Sequence, residues 1–174
     1  MKSSLHQLAN QIAHETRGLT ADQLRWQVEG KWSIAEILEH LALTYSGTKL
    51  GFDRCLQSGK PSARAAKAAD RVRAFVVTRL GYLPSGREAP ARTRPKGEPF
   101  ENICQDFAAK ITLMEKSISE SEQRFGAGAK VLDHPFLGPF TPNEWRRFHW
   151  VHGQHHLRQI RRLRKLIEAH PPAA

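Results

Sequence analysis

Apolar residues recur every three or four positions along most of the chain, and no run of strand length alternates apolar and polar residues. Leu5, Leu8 and Ile12, with the neighbouring alanines, predict a first helix ending near Arg17-Gly18. "TADQLRW" then offers Thr20 and Gln23 at capping-box spacing, enough for one or two short turns. Ser33 and Glu36 repeat that spacing before the clearest element. There Ile34, Ile37, Leu38, Leu41, Tyr45, Phe52 and Cys55 form one stripe, and the helix should run from about Ser33 to Leu56 or Ser58. "SGKPSARAA" breaks the pattern, which resumes over 66–79 as a shorter, arginine-rich helix. Residues 81–99, rich in proline, read as a long loop. Phe100, Ile103, Phe107, Ile111, Met114 and Ile118 predict another long helix that stops around "FGAGA". "HPFLGPF" is a tight apolar connection. Thr141 as N-cap, Pro142 at the first helical position and Glu144 then announce the last helix, whose interior positions include Trp145, Phe148, Leu163 and Leu166.

The first helix and the three long ones predict an all-α fold, an antiparallel-type four-helix bundle with an additional short helix and a long basic loop. A chain of 174 residues, 40% hydrophobic and 25% charged, suits one globular domain spanning 1–174. A disordered tail is expected near 170–174. No apolar run approaches the roughly 20 residues needed to cross a bilayer, and the N-terminus lacks the apolar stretch of a signal peptide. The expected location is the cytoplasm, with Cys55 and Cys104 as buried free thiols.

The net charge of +10 bears on partners. Arginine gathers in "GREAPARTRPKG" (86–97) and in "RQIRRLRK" (158–165), which could meet nucleic acid, an anionic surface or an acidic substrate, or simply solubilise the chain. No zinc-finger spacing, RNP-type aromatic motif or helix-turn-helix pattern accompanies the charge.

Histidine carries the sharper signal. "HWVHGQHHLRQI" (149–160) places His149, His152, His155 and His156 within one predicted helix. At about 100° per residue, His152 and His156 share the face of Trp145, Phe148, Gln159, Leu163 and Leu166, while His149 and His155 flank it by roughly 60° on either side. Two imidazoles one turn apart project in parallel and make a good chelate, but a stable site needs another ligand. His40, at the edge of the second helix's stripe in "EILEHLAL", is the candidate. Three imidazoles leave coordination positions open, as in catalytic sites. Solvated or hydrogen-bonded histidines would explain the same pattern without a metal. His134 in "DHPFLG" reads as a turn residue or a group lining the site. Glu36, one turn before His40, is a candidate base whose capping-box role also explains it.

"GKWSIAEILEHLA", followed near the C-terminus by "HPFLGPFTPNEWRRFHWVHGQHHLRQI", resembles the DinB/YfiT-like superfamily of metal-dependent enzymes. The resemblance covers nearly the whole chain in helix order. It implies a four-helix bundle, often dimeric, holding a divalent metal, commonly nickel or zinc, on His40, His152 and His156. Many members follow the last histidine with Arg-Gly-Gln; this chain has Leu157-Arg158-Gln159. Relatives include enzymes of low-molecular-weight thiol transfer and a maleylpyruvate isomerase that uses a thiol cofactor.

Two function classes follow. One is a metal-dependent enzyme performing thiol transfer or hydrolysis on a small substrate, possessed of no membrane anchor and with the basic loop 86–97 covering the site. The other is a non-enzymatic module with a structural metal, binding nucleic acid or another anion through Arg158, Arg161 and Arg164. A small-molecule substrate is preferred over nucleic acid. Trp150 and Leu157 point away from the His152 face, which suggests a second buried surface and a homodimer.

Overall fold

The protein is seen in a computed structural model that describes residues 4–83 and 88–169, apart from the side chains at 101, 104 and 105. Its helices are α1 (Ser4–Thr16), α2 (Ala21–Arg25), α3 (Ile34–Ser58), α4 (Ala68–Thr78), α5 (Phe100–Phe125) and α6 (Pro142–Ala169). The all-α expectation holds. The expected tail at 170–174 and the thiol of Cys104 lie outside the described residues, whereas Cys55 is a buried free thiol.

Local chemistry places the helix starts where the sequence puts them. The Ser33 hydroxyl accepts from the Glu36 amide at 3.2 Å, and the Glu36 carboxylate accepts from the Ser33 amide at 2.7 Å. Thr141 and Glu144 make the same reciprocal pair at the head of α6, and Thr20 and Gln23 do so for α2. Gly59, with φ of 71°, ends α3 in the left-handed conformation that glycine adopts without a Cβ clash.

Helix directions follow from which residues meet. Leu8 lies at Gly153, Gln11 bonds Gln154 and Glu15 pairs with Arg161, so α1 and α6 run parallel. Tyr45 meets Phe107, Asp53 accepts from Ser117 and Leu56 from Arg124, so α3 and α5 are parallel as well. His40 meets His156 while Phe52 meets Trp145, so α3 and α6 are antiparallel. The order is therefore up, down, down, up. A parallel α3–α5 pair requires the chain to return along the bundle, and residues 59–99 make that return.

Leu5, Leu8, Ile34, Leu41, Tyr45, Phe52, Ile111, Met114, Ile118, Leu157 and Ile160 are fully buried between these helices. One small element lies outside the sequence expectation. Leu132–His134 and Gly138–Phe140 form a two-stranded antiparallel hairpin, with Leu132 opposite Phe140. Three-residue strands are too short to show alternation.

The buried face of α6 is also broader than one stripe. Leu166 is exposed, whereas Ile167, Ile160 and Leu157 are buried, because α1 packs along Gly153 and Arg161, a different side of α6 from the one that meets α3. Leu157, expected to serve a partner subunit, is thus covered by its own chain, and Trp150 packs on the same core.

Candidate metal centre

His40 sits two turns into α3, and His152 and His156 sit one turn apart at the middle of α6. The antiparallel crossing brings all three together. His152 Nε2 lies 3.1 Å from His40 Nε2 and 3.0 Å from His156 Nε2. One ring nitrogen from each residue falls within 4.8 Å of the others, and among the described residues this is the group of histidines, cysteines and carboxylates able to hold a metal ion. The rings are 5–8% exposed, and the half-buried Trp32 indole lies over two of them, with centroids 5.0 Å from His40 and 6.4 Å from His156. The Phe148 ring stacks on the other side, 5.3 Å from His152.

Two of the tautomers follow from the outer hydrogen bonds. A carbonyl can only accept, so His40 Nδ1–H donates to the Thr93 carbonyl at 2.8 Å and leaves Nε2 bare. His156 Nδ1–H donates to Gln159 Oε1 at 2.7 Å, which bares its Nε2 as well, and Gln159 Nε2–H then donates to His155 Nε2 at 3.2 Å. His152 Nδ1 is buried without a partner. With neutral rings, the three facing nitrogens therefore share at most one proton. Burial pushes His156 down to about 3, with His40 adding to the effect and Gln159 opposing it. Burial lowers His40 too, against the pull of the Thr93 carbonyl, and holds His152 well below the ordinary range together with its neighbouring imidazoles. Neutral imidazoles with inward lone pairs are the form in which histidine ligates a metal. Tetrahedral ligands at about 2.0–2.1 Å from zinc sit about 3.3 Å apart, so the two separations from His152, 3.1 and 3.0 Å, need only a few tenths of an ångström of adjustment. These three histidines could hold a metal, and their surroundings fit one.

The chain belongs to the DUF1569 family. That family is described as a protein of unknown function, and its pattern matches residues 2–163. None of the curated proteins matches the chain, and no solved structure does.

In this DUF1569 member the sequence candidates other than the triad take different places. The Glu36 carboxylate is engaged in the cap of α3. His134 closes the hairpin, its Nδ1 accepting from the amides of Phe136 and Leu137 at 3.2 Å each. Its ring packs 4.4 Å from Phe148, and burial, helped by Arg92, lowers it to about 3. It thus serves the turn and also packs against the aromatic ring that backs His152. His155 remains half-buried outside the triad. His149, placed by the helical wheel at the border of the face, is fully buried between Tyr45 and Trp145, with Thr48 Oγ1 at 3.1 Å from its Nε2.

Sequence reasoning missed Glu39. This 5%-exposed carboxylate accepts from the amides of Lys96 at 2.7 Å, Gly97 at 3.0 Å and Glu98 at 3.2 Å. With the Thr93 carbonyl on His40, it ties the segment after the 3-10 turn Ala91–Thr93 across α3 beside the triad. The described part of the basic loop is thus attached at this end, and Arg94 pairs within it to Glu88 at 2.5 Å. Two of the three α6 arginines expected to meet an anion are engaged as well: Arg161 pairs with Glu15, and Arg164 donates to the carbonyls closing α1 and pairs with Glu168, while Arg158 is exposed.

Proposed function

We propose that this protein is a metal-dependent enzyme built on an open three-histidine centre, with nickel or zinc as the metal and thiol transfer, or else hydrolysis, of a small substrate as its reaction. The observation that carries the reading is the convergence of three Nε2 atoms whose outer nitrogens are committed, for His40 and His156, to Thr93 and Gln159. Fixed tautomers and a hydrogen-bonded outer layer are how proteins orient metal ligands. Three ligands without a fourth side chain from the described residues match the ligand count of catalytic sites more closely than that of closed structural ones. The resemblance to the DinB/YfiT-like superfamily rests on the same three positions and supports thiol transfer as the first choice.

A divalent ion held there would lower the pKa of a bound thiol or water and so supply a nucleophile at neutral pH. The chain's own groups have separable tasks. Thr93 and Gln159 hold the His40 and His156 rings in register, Trp32 and Phe148 exclude water from the two faces, and half-buried His155 steadies Gln159 by accepting from its amide. Among the described residues no carboxylate joins the cluster, so a divalent metal would keep its full charge for a ligand in the open position.

The test is metal analysis of untagged protein, followed by a screen of glutathione-, bacillithiol- and mycothiol-type thiols against electrophiles, with metal stripped and restored. Stoichiometric metal and metal-dependent turnover are expected. Protein that takes up neither nickel nor zinc in the micromolar range would refute the reading. Metal binding without turnover by any thiol or ester would leave a structural metal as the better account.

A further inference from the structure

We propose that the groove between α4 and the start of α6, lined by none of the three triad histidines, is a second binding site that takes a nucleotide: a phosphate joined to a flat aromatic ring. The groove has a volume of about 420 Å³, within the usual range of small-molecule sites. Its walls carry Arg71, Arg79, Lys130 and Arg147, with Phe75 among them and Asn143 from the first turn of α6.

These cations are not equivalent. Lys130 is committed to Glu144 at 2.6 Å, and Glu144, the acid among the lining residues, also accepts from the Thr141 amide. Its charge is therefore already answered. Arg147 donates from Nε to the Thr78 carbonyl at 3.0 Å, which fixes the guanidinium at the wall while its terminal amino groups make no bond among the described residues. Arg71 and Arg79 are exposed and, among the described residues, make no ion pair. Three guanidinium forks with free donors thus surround one concavity in a chain of net charge +10, a field and a geometry suited to a phosphate.

Phe75 supplies the second half of the recognition. It is 55% exposed although it lines the groove, and it stands one helical turn from both Arg71 and Arg79. An aromatic face left open between arginines offers a planar ring both stacking and a nearby cation. A second copy of the chain would set arginines against arginines. A bilayer presents a flat surface, whereas the arginines here line a concavity. A nucleotide satisfies the ring and the cations together.

The experiment is calorimetric titration of the full chain, metal-stripped and metal-loaded, with AMP, adenosine and inorganic phosphate as probes. Parallel arms use a short single-stranded oligonucleotide and phosphatidylserine vesicles. AMP is expected to bind about tenfold or more tightly than adenosine or inorganic phosphate, because ring and phosphate are held at once. R71A and R79A should each weaken AMP by about tenfold, as loss of a charge-assisted contact predicts. F75L should weaken AMP by about tenfold and leave inorganic phosphate unchanged, as loss of stacking alone predicts. All three positions are exposed, so these variants should fold, and matching circular dichroism checks it. Binding should be the same in H152A and with either metal state, which separates this site from the triad. Absence of AMP binding at millimolar concentration, AMP affinity indifferent to R71A and R79A, or capture by vesicles in preference to AMP would each overturn the proposal. Oligonucleotide binding with the same variant sensitivities would keep the site and identify its nucleotide as part of a strand.

Discussion

Replacing Glu39 by glutamine should loosen the segment over α3 and weaken metal binding without touching a ligand. Glu39 accepts three backbone amides at 2.7–3.2 Å, each a bond to a charged acceptor. Such bonds contribute roughly 1.5–3 kcal/mol apiece. Glutamine keeps one acceptor oxygen and presents an NH₂ to the remaining amides. Lys96, Gly97 and Glu98 are exposed, however, so water recovers part of the loss. A net cost of about 2–3 kcal/mol to local closure is reasonable, which corresponds to about 30- to 150-fold faster exchange of those three amides. His40 is held by the Thr93 carbonyl, which belongs to the same tied segment, so its ring should lose register too. Loss of such outer support typically reduces metal affinity by about 10- to 100-fold. Hydrogen exchange resolved to residues 96–98 and competition titration with a chromophoric chelator read the two effects. E39Q protein with unchanged protection and unchanged affinity would refute the coupling of segment to ligand. Faster exchange with unchanged affinity would show that Thr93 holds His40 without Glu39.

Other substitutions separate the remaining contacts. H40A, H152A and H156A should each lose stoichiometric metal after exhaustive dialysis, while H155A retains it; elemental analysis reads the difference, and loss in H155A with retention in H156A would refute the assigned helix register. G153A should destabilise by about 1–2 kcal/mol in urea titrations, because a Cβ there strikes the buried Leu8 side chain and the overpacking cost exceeds the gain in helix propensity. His149 is held down to about 3 by burial and by neighbouring His134, against 6.5 in the unfolded chain. The unfolded state therefore binds the extra proton between about pH 6.5 and 3, and stability falls as pH drops through that window, by up to about 1.4 kcal/mol per pH unit for this group. In metal-free protein, H149Q should reduce the pH slope by about one proton equivalent, and an unchanged slope would sink that assignment.

What the sequence determined by itself is what short-range geometry determines. Capping boxes at Ser33–Glu36 and Thr141–Glu144 act over three residues, so the starts of α3 and α6 were legible from spacing. The i,i+4 relation of His152 and His156 is a property of any α-helix, and it holds here at 3.0 Å. The wheel also put Gln159 on their face, where it meets His156.

Tertiary structure decided everything that depends on what lies opposite. Glu39 falls roughly 140° from the centre of the apolar stripe of α3, so periodicity gives it to solvent. It is buried because the segment 91–98 crosses there, and the groups it binds are backbone amides, which carry no residue signature. Thr93 acts on His40 through a carbonyl that every residue possesses, so no pattern could single it out. Leu157 and His149 lie inside because α1 and α3 cover α6 from different sides, and Leu166 lies outside for want of such a cover. The parallel pairing of α3 with α5 depends on how residues 59–99 return along the bundle. Hydrophobic period reports which face of a helix is apolar. It does not report which neighbour arrives, in which direction, or what crosses its polar side.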